Sequence, residues 1–107
     1  MRPGTRSPPS PPDQARTYAL ERLNSLDFDI RSRALFFLEK LGDPTLVGAF
    51  RGRLSDPEAY LRQRAVRALR EIGTAEALEA IRPALEDPDR AVRGEAMRAL
   101  GIDTRKR

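Results

Sequence analysis

The chain has 107 residues, no cysteine and no histidine, and 20 basic against 16 acidic side chains for a net charge of +4. That length suits one small domain, and the two missing residue types exclude disulfide staples, thiolate chemistry, the commonest metal ligand and the commonest general base. With no apolar run of about 18 residues and no apolar segment at the N-terminus, neither a membrane span nor a secretory signal is expected, which points to a cytoplasmic location.

Residues 1–12, MRPGTRSPPSPP, hold five prolines and no aliphatic side chain beyond Met1. Nothing there offsets ordering entropy, so a disordered, extended tail is expected. Its Arg6-x-x-Pro9-x-x-Pro12 spacing has the form of a proline-groove ligand, although a proline-biased tail also produces that spacing by chance. From Asp13, a plausible N-cap, the pattern becomes helical, with Ala15, Tyr18, Ala19 and Leu23 inward. After a break at Asn24-Ser25, a second helix carries Ile30, Ala34, Leu38 and Leu41 on one face and ends at Gly42, a C-cap position. Asp43-Pro44 starts a third helix through Leu46, Val47, Phe50 and Leu54, an aspartate cap with proline in the first turn. Asp56-Pro57-Glu58 repeats that signal before a fourth helix, which carries Leu61, Ala65, Val66, Leu69 and Ile72 and stops at Gly73. Thr74 caps a fifth helix with Ala77, Leu78, Ile81 and Leu85 inward. Asp87-Pro88-Asp89 opens a sixth, with Val92, Ala96, Met97 and Leu100 inward and Gly101 at its end. Gly52 and Pro83 share one repeat position, where each weakens its helix and predicts a bend.

These elements recur with a fixed step of 31 residues: Leu23, Leu54 and Leu85; Ile30, Leu61 and Val92; Arg31, Arg62 and Arg93; Ala34, Ala65 and Ala96; Leu38, Leu69 and Leu100. A period of that size is the signature of stacked repeats, each burying its apolar face against its neighbours. Three helical hairpins follow, at roughly 13–42, 44–73 and 75–104. Five basic residues, Arg2, Arg6, Arg105, Lys106 and Arg107, lie outside this body, which holds 15 basic and 16 acidic side chains. The excess positive charge therefore belongs to the N-terminal tail and to a basic tail at 105–107. Lysine occurs only at positions 40 and 106, an arginine bias that suggests a GC-rich bacterial genome.

The segments DPEAYLRQRAVRALREIG (56–73) and DPDRAVRGEAMRALGI (87–102) resemble the second helix of HEAT repeats, and more closely the bacterial PBS-lyase-type HEAT-like repeat. The resemblance covers residues 13–104, strongly over 44–102. The first repeat departs from it, with Ser25-Leu26 in place of Asp-Pro and Phe36-Phe37 in place of Arg67-Ala68. It implies an all-α, right-handed α-α superhelix, a solenoid of three HEAT-like helical hairpins and six helices, of the armadillo type. First helices would line the convex side and second helices the concave side. It also implies a structural ladder of Asp56, Arg62, Asp87 and Arg93, with Arg31 a weaker member; an anion-binding row is the functional alternative for that arginine column.

The candidate binding surface is the outer face of the second helices. Arg33, Arg64, Arg67 and Arg98 fall into a row that could take an acidic protein segment or a phosphate backbone. Glu39, Glu71 and Glu95 lie close enough to offset it, and an intrahelical Arg67–Glu71 pair is the plain alternative. Phe36 stands at the repeat position of Arg67 and Arg98, either packed against the first helix or exposed as an anchor, and Tyr60 is equally open. No catalytic residue, metal site or cofactor motif is found. The expected function is a non-catalytic protein-interaction scaffold that presents its concave face to a protein partner, with no membrane association. The alternatives are a nucleic-acid-associated protein using its basic tails and concave arginines and, with little in its favour, a glycosylase-type or lyase-type HEAT-like enzyme. A monomer is expected, or weak self-association through the apolar end at Met97, Leu100 and Ile102.

Overall fold

The computed structural model describes residues 11–102. The expectations for the proline-rich segment 1–10 and for Arg105, Lys106 and Arg107 fall outside them. Six α-helices occur among the described residues: α1 (Pro11–Arg22), α2 (Phe28–Leu41), α3 (Val47–Gly52), α4 (Ala59–Ile72), α5 (Ala75–Ile81) and α6 (Arg90–Ala99). Short 3-10 turns precede α3 (Pro44–Leu46), follow it (Arg53–Ser55) and extend α5 (Arg82–Glu86), and no strand occurs among the described residues.

Consecutive helices pair as α1 with α2, α3 with α4 and α5 with α6. The pairs stack because α2 packs on α4, α4 on α6, and α3 on α5. Successive pairs are thus related by the 31-residue step, which makes a helical solenoid. The apolar columns of the repeat become its core. Leu38 and Leu69 are fully buried, Leu61 and Val92 likewise, and Ala34, Ala65 and Ala96 line the buried side of the second helices. A methyl group at that last position lets neighbouring second helices approach closely. Phe50, Leu46 and Ile81 fill the space beneath the first helices.

Helix boundaries follow local chemistry. Gly42 and Gly73 end α2 and α4 at φ +58° and +70°, a left-handed turn that costs a residue with a Cβ. Thr74 caps α5 by accepting the Ala77 N–H at 3.1 Å, and the Asp43 carboxylate accepts the Thr45 N–H at 2.9 Å. At the shared position of Gly52 and Pro83, α-helix gives way to 3-10 helix, at Arg53–Ser55 and Arg82–Glu86 respectively. Pro83 has no N–H to continue the α-helical ladder, and Gly52 has the least tendency to stay in it.

Four expectations need correction. First, α1 begins at Pro11, so Pro11 and Pro12 belong to its first turn, where a missing N–H is harmless, and Asp13 lies inside the helix. Second, Ala15, Tyr18, Ile30 and Leu41 are exposed rather than core. For Tyr18 and Ile30 the reason is position: their equivalents in later repeats are covered by the preceding helix pair. Third, Asp56 and Asp87 do not cap α4 and α6. Each instead accepts the N–H two residues on, from Glu58 at 2.9 Å and Asp89 at 2.8 Å, while α6 is capped by Asp89. Fourth, Arg67 pairs across to α6 and not with Glu71.

Candidate functional site

The arginine column at 31, 62 and 93 and the aspartates at 56 and 87 lie along the turns that join the two helices of each pair. Arg31 donates to both Asp56 oxygens, from Nε at 2.9 Å and Nη2 at 3.2 Å. Arg62 holds Asp87 with the same two distances. The remaining guanidinium nitrogen of each arginine binds the carbonyl six residues back: Ser25 for Arg31, Asp56 for Arg62 and Asp87 for Arg93. One arginine thus ties its own turn to the next repeat. Asp56 is wholly buried and also accepts a bond from Arg53 at 3.0 Å. Burial raises the Asp87 carboxyl, but Arg62 and the Asp89 N–H outweigh it and hold its pKa below the usual range. The same hydrogen bond lifts the Arg62 guanidinium further above its ordinary value. Arg31, expected as the weaker member, makes the most buried of these pairs. Arg93 meets no carboxylate among the described residues.

The row at 33, 64, 67 and 98 does not form one cationic strip. Arg64 grips Glu39 of α2 through Nη2 at 2.6 Å and Nε at 3.1 Å. Glu95, only 2% exposed, collects Arg67 at 3.2 and 3.3 Å, Arg98 at 2.8 Å, Arg70 at 3.8 Å and Gln63 at 3.4 Å. Burial pushes the Glu95 carboxyl up, yet the bonds from Arg67, Arg98 and Gln63 pull it down to about 2. At Glu39 burial prevails over Arg64, and the pKa is raised. Three of the four arginines are therefore neutralised within the fold. Only Arg33 remains exposed and without an ion pair among the described residues.

Around Arg33 the surface is aromatic. Phe36 is 48% exposed and Tyr60 52% exposed. Two cations sit over the Phe36 ring: Lys40 Nζ at 4.6 Å and the Arg64 guanidinium at 5.1 Å from its centroid. Tyr60 meets Phe28, ring centroids 6.4 Å apart and tilted by 55°. The Glu39 clamp holds Arg64 where it can cover the ring. Between α2 and α4, Phe36, Tyr60 and Arg64 line a shallow groove of about 240 Å³, together with the buried Leu35 and Leu61 and the exposed Arg33. Phe28 was missed in the sequence, although Phe28, Ser32 and Phe36 share one helical stripe at spacings of four.

Chemically this surface offers half-exposed aromatic rings, with Lys40 and Arg64 over the face of Phe36. Arg64 is spent on Glu39, whereas Arg33 has no ion pair among the described residues. No group of three or more His, Cys, Asp or Glu side chains able to hold a metal occurs among the described residues. No helix among them is long and apolar enough to cross a membrane. A sequence model of HEAT repeats matches residues 17–101, most of the chain. No curated protein matches it.

Proposed function

Because the chain belongs to the HEAT-repeat family, we propose that it is a non-catalytic protein-interaction module that holds a partner segment on the face of α2 and α4. The observation that supports this most is the exposed aromatic cluster of Phe28, Phe36 and Tyr60 with Arg33 beside it. Tyrosine and arginine are enriched among the few residues that carry most interface energy: aromatic rings bury a large area with few rotatable bonds, and arginine supplies a charged, planar set of donors. The partner carries apolar side chains for the groove and an acidic residue for Arg33. The four-arginine row is not the binding element in this reading, because Arg64, Arg67 and Arg98 already satisfy Glu39 and Glu95. A concave disposition of this face, a cytoplasmic setting and a monomeric or weakly self-associating state belong to the same reading.

The test is affinity capture with three baits: the native chain, Phe36→Ser/Tyr60→Ser, and Arg51→Ser/Glu79→Ser on the first-helix side. The native chain and the third bait should retain a common partner that the second loses. Equal capture by the first two would overturn the assignment. A partner that proves to be nucleic acid, released steeply by salt and by removal of residues 1–10 and 105–107, would favour the basic tails instead.

A further inference from the structure

A second groove, of about 450 Å³, opens between α1 and α2 and is lined mainly by carbon. Its walls include the exposed Ala15, Tyr18, Ile30, Arg33 and Phe37 and the half-buried Arg22. The repeat identifies the surface. Ile30 is 41% exposed, whereas its equivalents Leu61 and Val92 are 1% and 0% exposed. Phe37 is 38% exposed, and its equivalent Ala68 is 2% exposed. The groove is therefore the same surface on which, in each later repeat, the preceding helix pair sits.

Charge shows what such a surface accepts. The equivalents of Arg33 are Arg64 and Glu95, and each meets an opposite charge from the preceding second helix: Arg64 takes Glu39 of α2, and Glu95 takes Arg67 of α4. Arg33 is the one position of this column with its counter-charge absent among the described residues. We propose that this N-terminal end of the stack is a second docking site, for an amphipathic helix of a partner protein that carries a carboxylate in the register of Glu39. Stacked repeats ordinarily end in a polar face, and this one is apolar apart from two arginines, Arg33 and Arg22, of which Arg22 already lies over the Tyr18 ring and beside Glu21.

The other possible occupants do not match. Residues 1–10 contain Arg2 and Arg6 and no acid. A second copy stacked head to tail would bring Arg98 and Gly101, the equivalents of Arg67 and Arg70, towards Arg33. Two copies meeting end to end would oppose Arg33 to Arg33. An acidic helix from another chain is the occupant that complements both the apolar walls and the charge.

The probe is a helix-stapled peptide of residues 28–41, which already presents Glu39 to Arg64 within the fold, titrated into the full isotope-labelled chain. The expected result is amide shift changes at Tyr18, Ile30, Arg33 and Phe37. Affinity should fall at least tenfold for the Glu39→Lys peptide. The Arg33→Glu chain should reverse that preference and Arg33→Gln should erase it, both with native circular dichroism. Equal affinity for the two peptides would overturn the proposal. So would shifts confined to Phe36 and Tyr60, binding that appears only after residues 1–10 are removed, or concentration-dependent self-association that buries the same residues. Arg33 borders both grooves, so the two readings are separated by the residues they do not share: Phe36→Ser/Tyr60→Ser should leave peptide binding and the shifts at Tyr18, Ile30 and Phe37 unchanged, and loss of binding in that variant would overturn the proposal.

Discussion

Glu95→Gln isolates the electrostatics of the inter-repeat contact, because it removes one charge while keeping the shape. In the fold the carboxyl sits at about 2, against 4.5 for an unperturbed glutamate. A displacement of that size corresponds to about 3 kcal/mol at about 1.4 kcal/mol per pH unit. Arg67 and Arg98 are 39% and 62% exposed, so solvent screens their side of the interaction. About 1–2 kcal/mol is the expected loss at pH 7. The sign is fixed by the direction of the shift. A carboxyl with a lowered folded-state pKa contributes stability above its unfolded value, and that contribution disappears as pH falls from about 4.5 towards 2. Urea unfolding of the native chain and Glu95→Gln at pH 7, 5.5, 4.5 and 3.5 reads this directly. The gap between the two should hold from pH 7 to 5.5 and shrink by about 1 kcal/mol at pH 3.5. A gap independent of pH, or one that widens in acid, would refute the reasoning.

Asp56→Ala should cost about 3–5 kcal/mol, because it strands the buried Arg31 and also releases Arg53. Asp87→Ala should cost less, since among the described residues Arg62 is the only side chain it holds and that pair is more exposed; chemical denaturation of both variants gives the order. Leu69→Ala, at a fully buried position, should cost about 2–5 kcal/mol and lower the melting temperature. Gly73→Ala forces a Cβ into φ +70° and 3.4 Å from the Arg70 carbonyl, and should cost about 1 kcal/mol by the same measurement. Phe36→Ala should leave the melting temperature within a few degrees, because a half-exposed ring contributes little to folding.

How much of this was legible in the sequence depends on whether a residue acts within its repeat or across the next one. Gly42, Gly73, Thr74 and the columns at 34, 65 and 96 follow local rules of helix ends and helical period, and the structure places them as those rules predict. Ile30 shows the limit. It has the same sequence environment as Leu61, but burial at that position comes from the helix pair before it. Asp56 is similar: the Asp-Pro-Glu string suggests a cap, yet the carboxylate turns to an arginine 25 residues earlier. The arginine row failed for the same reason. A step of 31 residues aligns equivalent positions, whereas the ion pairs that spend those charges run at separations of 25 and 28. Phe36 and Tyr60 were visible as departures from the repeat, because at such positions the pattern asks for something other than an aromatic ring.

If the aromatic face of α2 and α4 holds a partner, a photo-crosslinking amino acid at the half-exposed Tyr60 will capture it, and one at the exposed Arg82 serves as the control. Irradiation of living cells should give a discrete protein adduct from position 60, abolished by Phe36→Ser in the same chain, and none of the same mass from position 82. An adduct from position 82 alone, or one from position 60 that survives Phe36→Ser, would contradict that placement.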